Sequence, residues 1–235
     1  MKEPRTTSAV GSADREDRMS RENFDRELDE LKQKLFQVTE CVRKNLSASV
    51  KYLGERDMQG AGMIIEADEM VNLKCLEIEE QCLNLIATQQ PVAKDLRLLF
   101  SILQITTEIE RIGDYAKGIA RLSRKMGPDR LIKPLIDIPR MEEVAGKMLY
   151  DAIKAFSEGN DQAAAEIPAR DLKIDALFSQ IHRELITFVM QKPANIEQAM
   201  MLDWVAHNIE RVGDRVVNIC ERTIFTVTGI PVDLS

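Results

Sequence analysis

The chain has 235 residues, 44% of them hydrophobic and only 5% aromatic, with 11 Gly and 8 Pro. That mixture favours helix over strand, at a length suited to one domain or two small ones. The formal charge of −7, from 32 basic and 39 acidic residues with no long basic block, disfavours bulk nucleic-acid binding and leaves cation binding open.

Residues 1–20 are polar and charged with almost no apolar anchor, and are expected to form a disordered tail. A first helix is predicted over 21–53, where Phe24, Leu28, Leu31, Leu35, Val38, Val42, Leu46 and Leu53 recur in steps of three and four, with Gly54 at its end. A second spans 58–89 on the stripe Ile64, Ala67, Val71, Cys75, Ile78, Cys82 and Leu85, and closes before Pro91. A third spans 92–125. The segment from Gly127 to Pro139 holds three prolines and reads as a linker over 127–138.

Beyond it the scheme repeats. A shorter helix covers 140–156, SEGND from Ser157 marks a turn, and a fifth helix ends before Pro193 with Pro168 kinking or delaying its start. A sixth covers 194–227. The predicted fold is all-α: six long helices forming two antiparallel three-helix bundles, over 21–126 and 139–230. No apolar run is long enough to span a membrane, and the N-terminus lacks an apolar secretion signal, so a cytoplasmic location is expected. The cysteines Cys41, Cys75, Cys82 and Cys220 form no C-x-x-C pair, and Cys41 and Cys75 sit on apolar stripes, which predicts reduced thiols.

The duplication preserves more than core spacing. ERIGDYAKGIA begins at Glu110 and ERVGDRVVNIC at Glu210, an offset of one hundred. Glu110 and Asp114 share one helix face, as do Glu210 and Asp214. On the preceding helix Asp68 and Asn72 are four apart, as are Asp171 and Asp175. Asp68 lies 23 residues before Pro91 and Asp114 lies 23 after it, while Asn72 and Glu110 are each 19 away. About Pro193 the second copy counts 22 and 21 for Asp171 and Asp214, and 18 and 17 for Asp175 and Glu210. In an antiparallel hairpin equal counts mean equal height, so each copy presents four oxygen-bearing side chains at one level. Such a face suits a hard cation, but it is equally a pattern that a solvated acidic surface can show.

The paired ERxGD segments within six helices, together with QPVAKDLR from Gln90, resemble the PhoU family, bacterial accessory proteins and negative regulators of phosphate-specific transport. The resemblance covers about residues 21–228 and implies a non-enzymatic regulator. Its partners would be the ATPase subunit of the phosphate ABC transporter and a phosphate-responsive histidine kinase, and it would act as a homodimer. The family signature E(D)xxxD is a metal-binding one, iron clusters included. It points to Glu110, Asp114, Glu210 and Asp214, with Asp68, Asp171 and Asp175 as further ligands of divalent or trivalent ions; iron leads, with manganese, magnesium or zinc as alternatives. The family Asn is present as Asn218, whereas the first copy has Gly118.

Two other readings stay open: a ferritin-like di-metal redox protein, and a metal-free helical scaffold. The redox reading needs Glu-x-x-His, and neither His182 nor His207 follows a Glu by three. His182 is expected to be partly buried, Met200, Met201 and Trp204 to pack in a core or interface, and Arg97 to join an ion pair. The second face, with four carboxylates against three, is expected to bind metal more tightly; Asn218 and His207 could assist it, and Arg215 could compete by pairing with Asp214.

Overall fold

The computed structural model describes residues 8–234, with side chains from residue 21. Its helices are α1 (Ser8–Glu55), α2 (Met58–Gln89), α3 (Ala93–Met126), α4 (Asp137–Glu158), α5 (Asp161–Glu166), α6 (Asp171–Gln191) and α7 (Ile196–Thr228). No strand occurs among the described residues.

The expected stripes are the buried ones. Leu31, Leu35, Leu46 and Leu53 on α1, Ile102, Ile105, Ile109 and Ile112 on α3, and Val205, Ile209, Val212 and Ile219 on α7 all lie in the core. Asp57 caps α2 by accepting from the amides of Gln59 and Gly60 at 3.1 and 2.8 Å. Gly159 and Gly229 take positive φ just past α4 and α7, where a left-handed residue closes a helix without a Cβ clash.

One expectation changes. A disordered tail is expected over 1–20, but α1 begins at Ser8; the first seven positions lie outside the described residues. Adding residues to a helix already nucleated on a buried stripe needs only one hydrogen bond per residue, and nothing from Ser8 to Ser20 is a proline. The fifth rod is delayed at Pro168, as its sequence predicts. Asn160 caps α5 through the Ala163 amide at 2.9 Å, the chain tightens into a 3₁₀ turn at Pro168–Arg170, and α6 follows. Pro168 lacks the amide that would carry an α-helix through.

The segment 127–136 is non-helical and anchored. Leu131, Ile132 and Leu135 pack on the core, the Arg56 guanidinium donates to the Asp129 carbonyl at 3.0 Å, and buried Lys133 pairs with Glu184. One apolar core runs through both copies. The most extensive packing joins α3 to α7. Glu108 faces Arg215, Tyr115 faces Arg211, and Gly118 faces Asn208. Numbers rise on α3 as they fall on α7, so the two helices cross antiparallel with Gly113 and Gly213 near the crossing.

Two candidate metal faces

The height count placed Asp68 and Asn72 beside Glu110 and Asp114, and Asp171 and Asp175 beside Glu210 and Asp214. In the second copy the four acids do converge. Burial pushes the Asp171 carboxyl up to about 6, reinforced by the charges of Asp175, Asp214 and Glu210. Burial also raises Asp175 and Glu210, and Asp214 adds to both. Asp171 Oδ1 and Glu210 Oε2 are buried with no hydrogen-bond partner. Such atoms are expensive unless something positive meets them. Opposing charge is thin. Arg211 donates to Asp214 at 2.6 Å, and His207 Nδ1 lies 3.2 Å from Glu210 Oε2 without the alignment of a hydrogen bond.

In the first copy a resident cation is already present. Lys117 Nζ sits 2.5 Å from Asp68 Oδ2, and Asn72 donates to the same oxygen at 3.3 Å. Asp68 is buried, whereas Asp114 is exposed. Burial raises the Cys75 thiol to about 12, and the charges of Glu110, Glu79 and Asp68 add to it, which sets Cys75 beside this face. Cys75, Cys82 and Cys220 are buried free thiols and Cys41 is a partly exposed one.

Lys117 is the residue of this face that sequence reasoning misses. Its signal was available: it lies seven residues, two helical turns, beyond Glu110, on the same face. The equivalent position in the second copy is Val217, which is buried. The glycines differ too. A Cβ on Gly113 would meet Asp68 Oδ1 at an ordinary 3.5 Å, but one on Gly213 would collide with Asp171 Oδ1. Gly213 is therefore what lets the Asp171 carboxylate lie against α7.

As a test of fit to a cation, the second face has the right chemistry: hard oxygen donors, two of them buried and unpartnered. Among the described residues, however, no group of three or more His, Cys, Asp or Glu side chains is placed so that it could hold a metal ion. The first face fits less well, because Lys117 holds its most buried acid.

Four side expectations also resolve. Arg215 does not compete for Asp214; it donates to Glu108 across the α3–α7 seam at 3.3 Å, both side chains being largely buried. Arg215 points into the crossing, one position around the helix from the acidic face. His182 is exposed rather than partly buried, because α6 turns it to the surface, where it meets Asp203 at 2.8 Å. Met201 is in the core, while Met200 and Trp204 are exposed on a groove between α3 and α7. Arg97 forms no ion pair among the described residues; its guanidinium lies against the chain at Gly229.

No described helix is long and apolar enough to cross a membrane. The family model for the PhoU domain matches residues 35–123 and 138–223, one match per copy. A Clostridium acetobutylicum protein named phosphate-specific transport system accessory protein PhoU homolog is 33% identical over 92% of this chain and 100% of its own length. The Escherichia coli phosphate-specific transport system accessory protein PhoU is 32% identical, over 88% of this chain and 86% of its own. The solved structure of the phosphate transport system regulatory protein PhoU from Streptococcus pneumoniae superposes with a TM-score of 0.83 at 30% identity, covering 90% of this chain and 100% of that one. PhoU from Pseudomonas aeruginosa superposes equally well, with a TM-score of 0.83 at 29% identity over 88% of this chain. These names describe accessory and regulatory proteins, not enzymes.

Proposed function

The chain belongs to the PhoU family, and on that premise we propose that it is a cytoplasmic accessory protein of a phosphate-specific transport system, restraining phosphate uptake and repressing the starvation response when phosphate is ample. It acts by contact rather than catalysis. Its partners in this reading are the ATPase subunit of the phosphate ABC transporter and a phosphate-responsive histidine kinase, and it works as a homodimer. The observation that carries the reading is the match of both three-helix copies to the family domain, alongside relatives of nearly the same length that bear the accessory-protein name.

The same reading gives the second acidic face a metal ion. Asp171, Asp175, Glu210 and Asp214 would hold a divalent or trivalent cation, iron first, with manganese, magnesium or zinc as alternatives. Two buried carboxylate oxygens without a hydrogen-bond partner, Asp171 Oδ1 and Glu210 Oε2, support this, although His207 lies 3.2 Å from the latter. A bound metal would supply the positive charge that these desolvated acids lack.

The functional test is genetic. Deleting the gene in a strain with no second copy should switch on a phosphate-starvation reporter in phosphate-rich medium, and the intact gene should silence it again. A silent reporter in the deletion strain would sink the regulatory reading.

A further inference from the structure

We propose that the groove between the end of α3 and the start of α7 docks an acidic segment of a partner protein, which inserts an aromatic or large aliphatic side chain beside Trp204. This rests on reading the chain as a protein that acts by contact, whichever partners it meets.

The duplication points to what is missing there. Because α3 and α7 cross antiparallel, their seam has two ends related by the offset of one hundred. At one end Phe100 of α3 meets Phe225 of α7 edge to face, with ring centroids 6.5 Å apart. At the other end Met200 stands for Phe100, Lys125 for Phe225 and Gly118 for Asn218. A ring and an amide give way to a flexible cation and to no side chain at all. The space is a hollow of about 440 Å³ lined by Gly118, Lys125, Met200 and Trp204. Met200 also walls a second hollow of about 230 Å³, between α6 and α7, with Ile186 and Met190. Two adjoining hollows suit two anchors of one segment.

The walls are apolar and open to solvent. Trp204 is 56% exposed, Met200 58% and Met190 79%. Apolar side chains clustered in this way on a soluble surface mark a contact site, and Trp is among the residues that most often dominate binding. His207 stands edge-on to Trp204 at 5.5 Å between centroids and braces the indole.

Charge selects the occupant. Arg121 and Lys125 of α3 line the first hollow, both exposed and neither in an ion pair among the described residues. Glu197 is the one acid in that lining, and in the second hollow Asp203 is held by His182. On a chain of net charge −7 this rim carries two free cations against one acid. An acidic segment is drawn to it and a basic one is repelled.

The test selects peptides from a random phage-displayed library on the full-length chain. The selected peptides should carry a Phe, Trp or Leu anchor with Asp and Glu beside it. Trp204 is the only tryptophan of the chain, so its emission reads the groove directly, and a selected peptide without Trp should shift it to the blue. With a fluorescein-labelled peptide, Trp204→Ala should weaken binding by about ten-fold or more. Lys125→Phe, which restores the ring found at the other end of the seam, should do the same by filling the hollow. Arg121→Glu/Lys125→Glu should lose the acidic peptide and gain a version whose acids are changed to Lys. All three positions are exposed, so the fold does not rest on them. No enriched peptide, a basic or anchorless consensus, unmoved Trp204 emission or undiminished binding in these variants would each overturn the proposal. Loss of self-association in Trp204→Ala with peptide binding unchanged would assign the groove to a second copy of the chain and overturn it too. If the peptides bind as expected while the deletion strain keeps a silent starvation reporter, the groove stands and the regulatory reading falls.

Discussion

The two acidic faces began as copies, and they now solve the same electrostatic problem in different ways. On the first, α3 contributes Lys117 and the buried Asp68 is satisfied within the chain. On the second, α7 contributes Val217 at that position, and burial, reinforced by the charges of three neighbouring acids, raises the Asp171 carboxyl to about 6. The spacing is shared, but the first face has Asn72 where the second has Asp175, and its buried acid is paired with Lys117 where the second copy has Val217. A duplicated acidic motif therefore says where charge is gathered, and the residue opposite it says whether the charge is free.

The largest expected effect that sharpens this contrast falls on the first face. In metal-free protein, Lys117→Met strands the Asp68 carboxylate, and breaking a buried pair costs about 3 kcal/mol at the low end of its usual range. Urea unfolding should show the midpoint falling, and Asp68→Asn in the same chain should recover much of the loss. A midpoint unmoved by Lys117→Met would mean that the pair does not balance the face.

The glycines come next. Gly213→Ala drives a methyl into Asp171 Oδ1 and should destabilise by about 1–3 kcal/mol. Gly113→Ala meets only ordinary contacts and gains helix propensity, so it should be neutral or stabilise by about 0.5–1 kcal/mol. Equal effects from the two substitutions would erase the difference in how closely the acids approach α7 and α3.

A pH series separates the faces further. A folded-state carboxyl held at about 6 binds protons that the unfolded chain, near 3.8, has released. Stability from Asp171 is thus present below about 4 and is lost as pH rises towards 6. After allowance for solvent screening the effect is about 1 kcal/mol. Metal-stripped protein should melt at a higher temperature at pH 5 than at pH 7 by this contribution, and Asp171→Asn should remove it. Added Mn²⁺ should offset the loss at pH 7. A pH difference unaltered in Asp171→Asn would assign it elsewhere.

The smallest effect concerns Arg215. Because it pairs with Glu108 across the seam, Arg215→Ala should leave Mn²⁺ affinity unchanged and reduce stability by about 1 kcal/mol. A double-mutant cycle with Glu108→Ala should recover that coupling. A change in affinity without a change in stability would put Arg215 back on the acidic face.

Much of this was legible. Each apolar stripe read from the chain is a buried face, and the proline and glycine positions mark real helix ends, because backbone sterics act locally. Counting from Pro193 brought Asp171 to Asp214 because a tight turn fixes the register of an antiparallel hairpin. The extension of α1 to Ser8 was missed because a weakly apolar stretch was judged on its own, not as the continuation of an existing helix. Proximity in number makes Asp214 a possible partner for Arg215. Its partner instead lies on α3, 107 residues away.

The sequence by itself determined the helices, the duplication and the gathering of acids at matched heights. These follow from periodicities of a few residues and from short turns, which act along the chain. Tertiary structure decided which acids are compensated. That depends on how α2 and α3, α6 and α7, and the α3–α7 crossing rotate and approach, and on how far a long basic side chain reaches between them. Desolvation is likewise a property of the packed assembly. A carboxylate on an isolated helix stays hydrated, whereas Asp171 against Gly213 and Asp68 beneath Lys117 lose water only once neighbouring helices close over them.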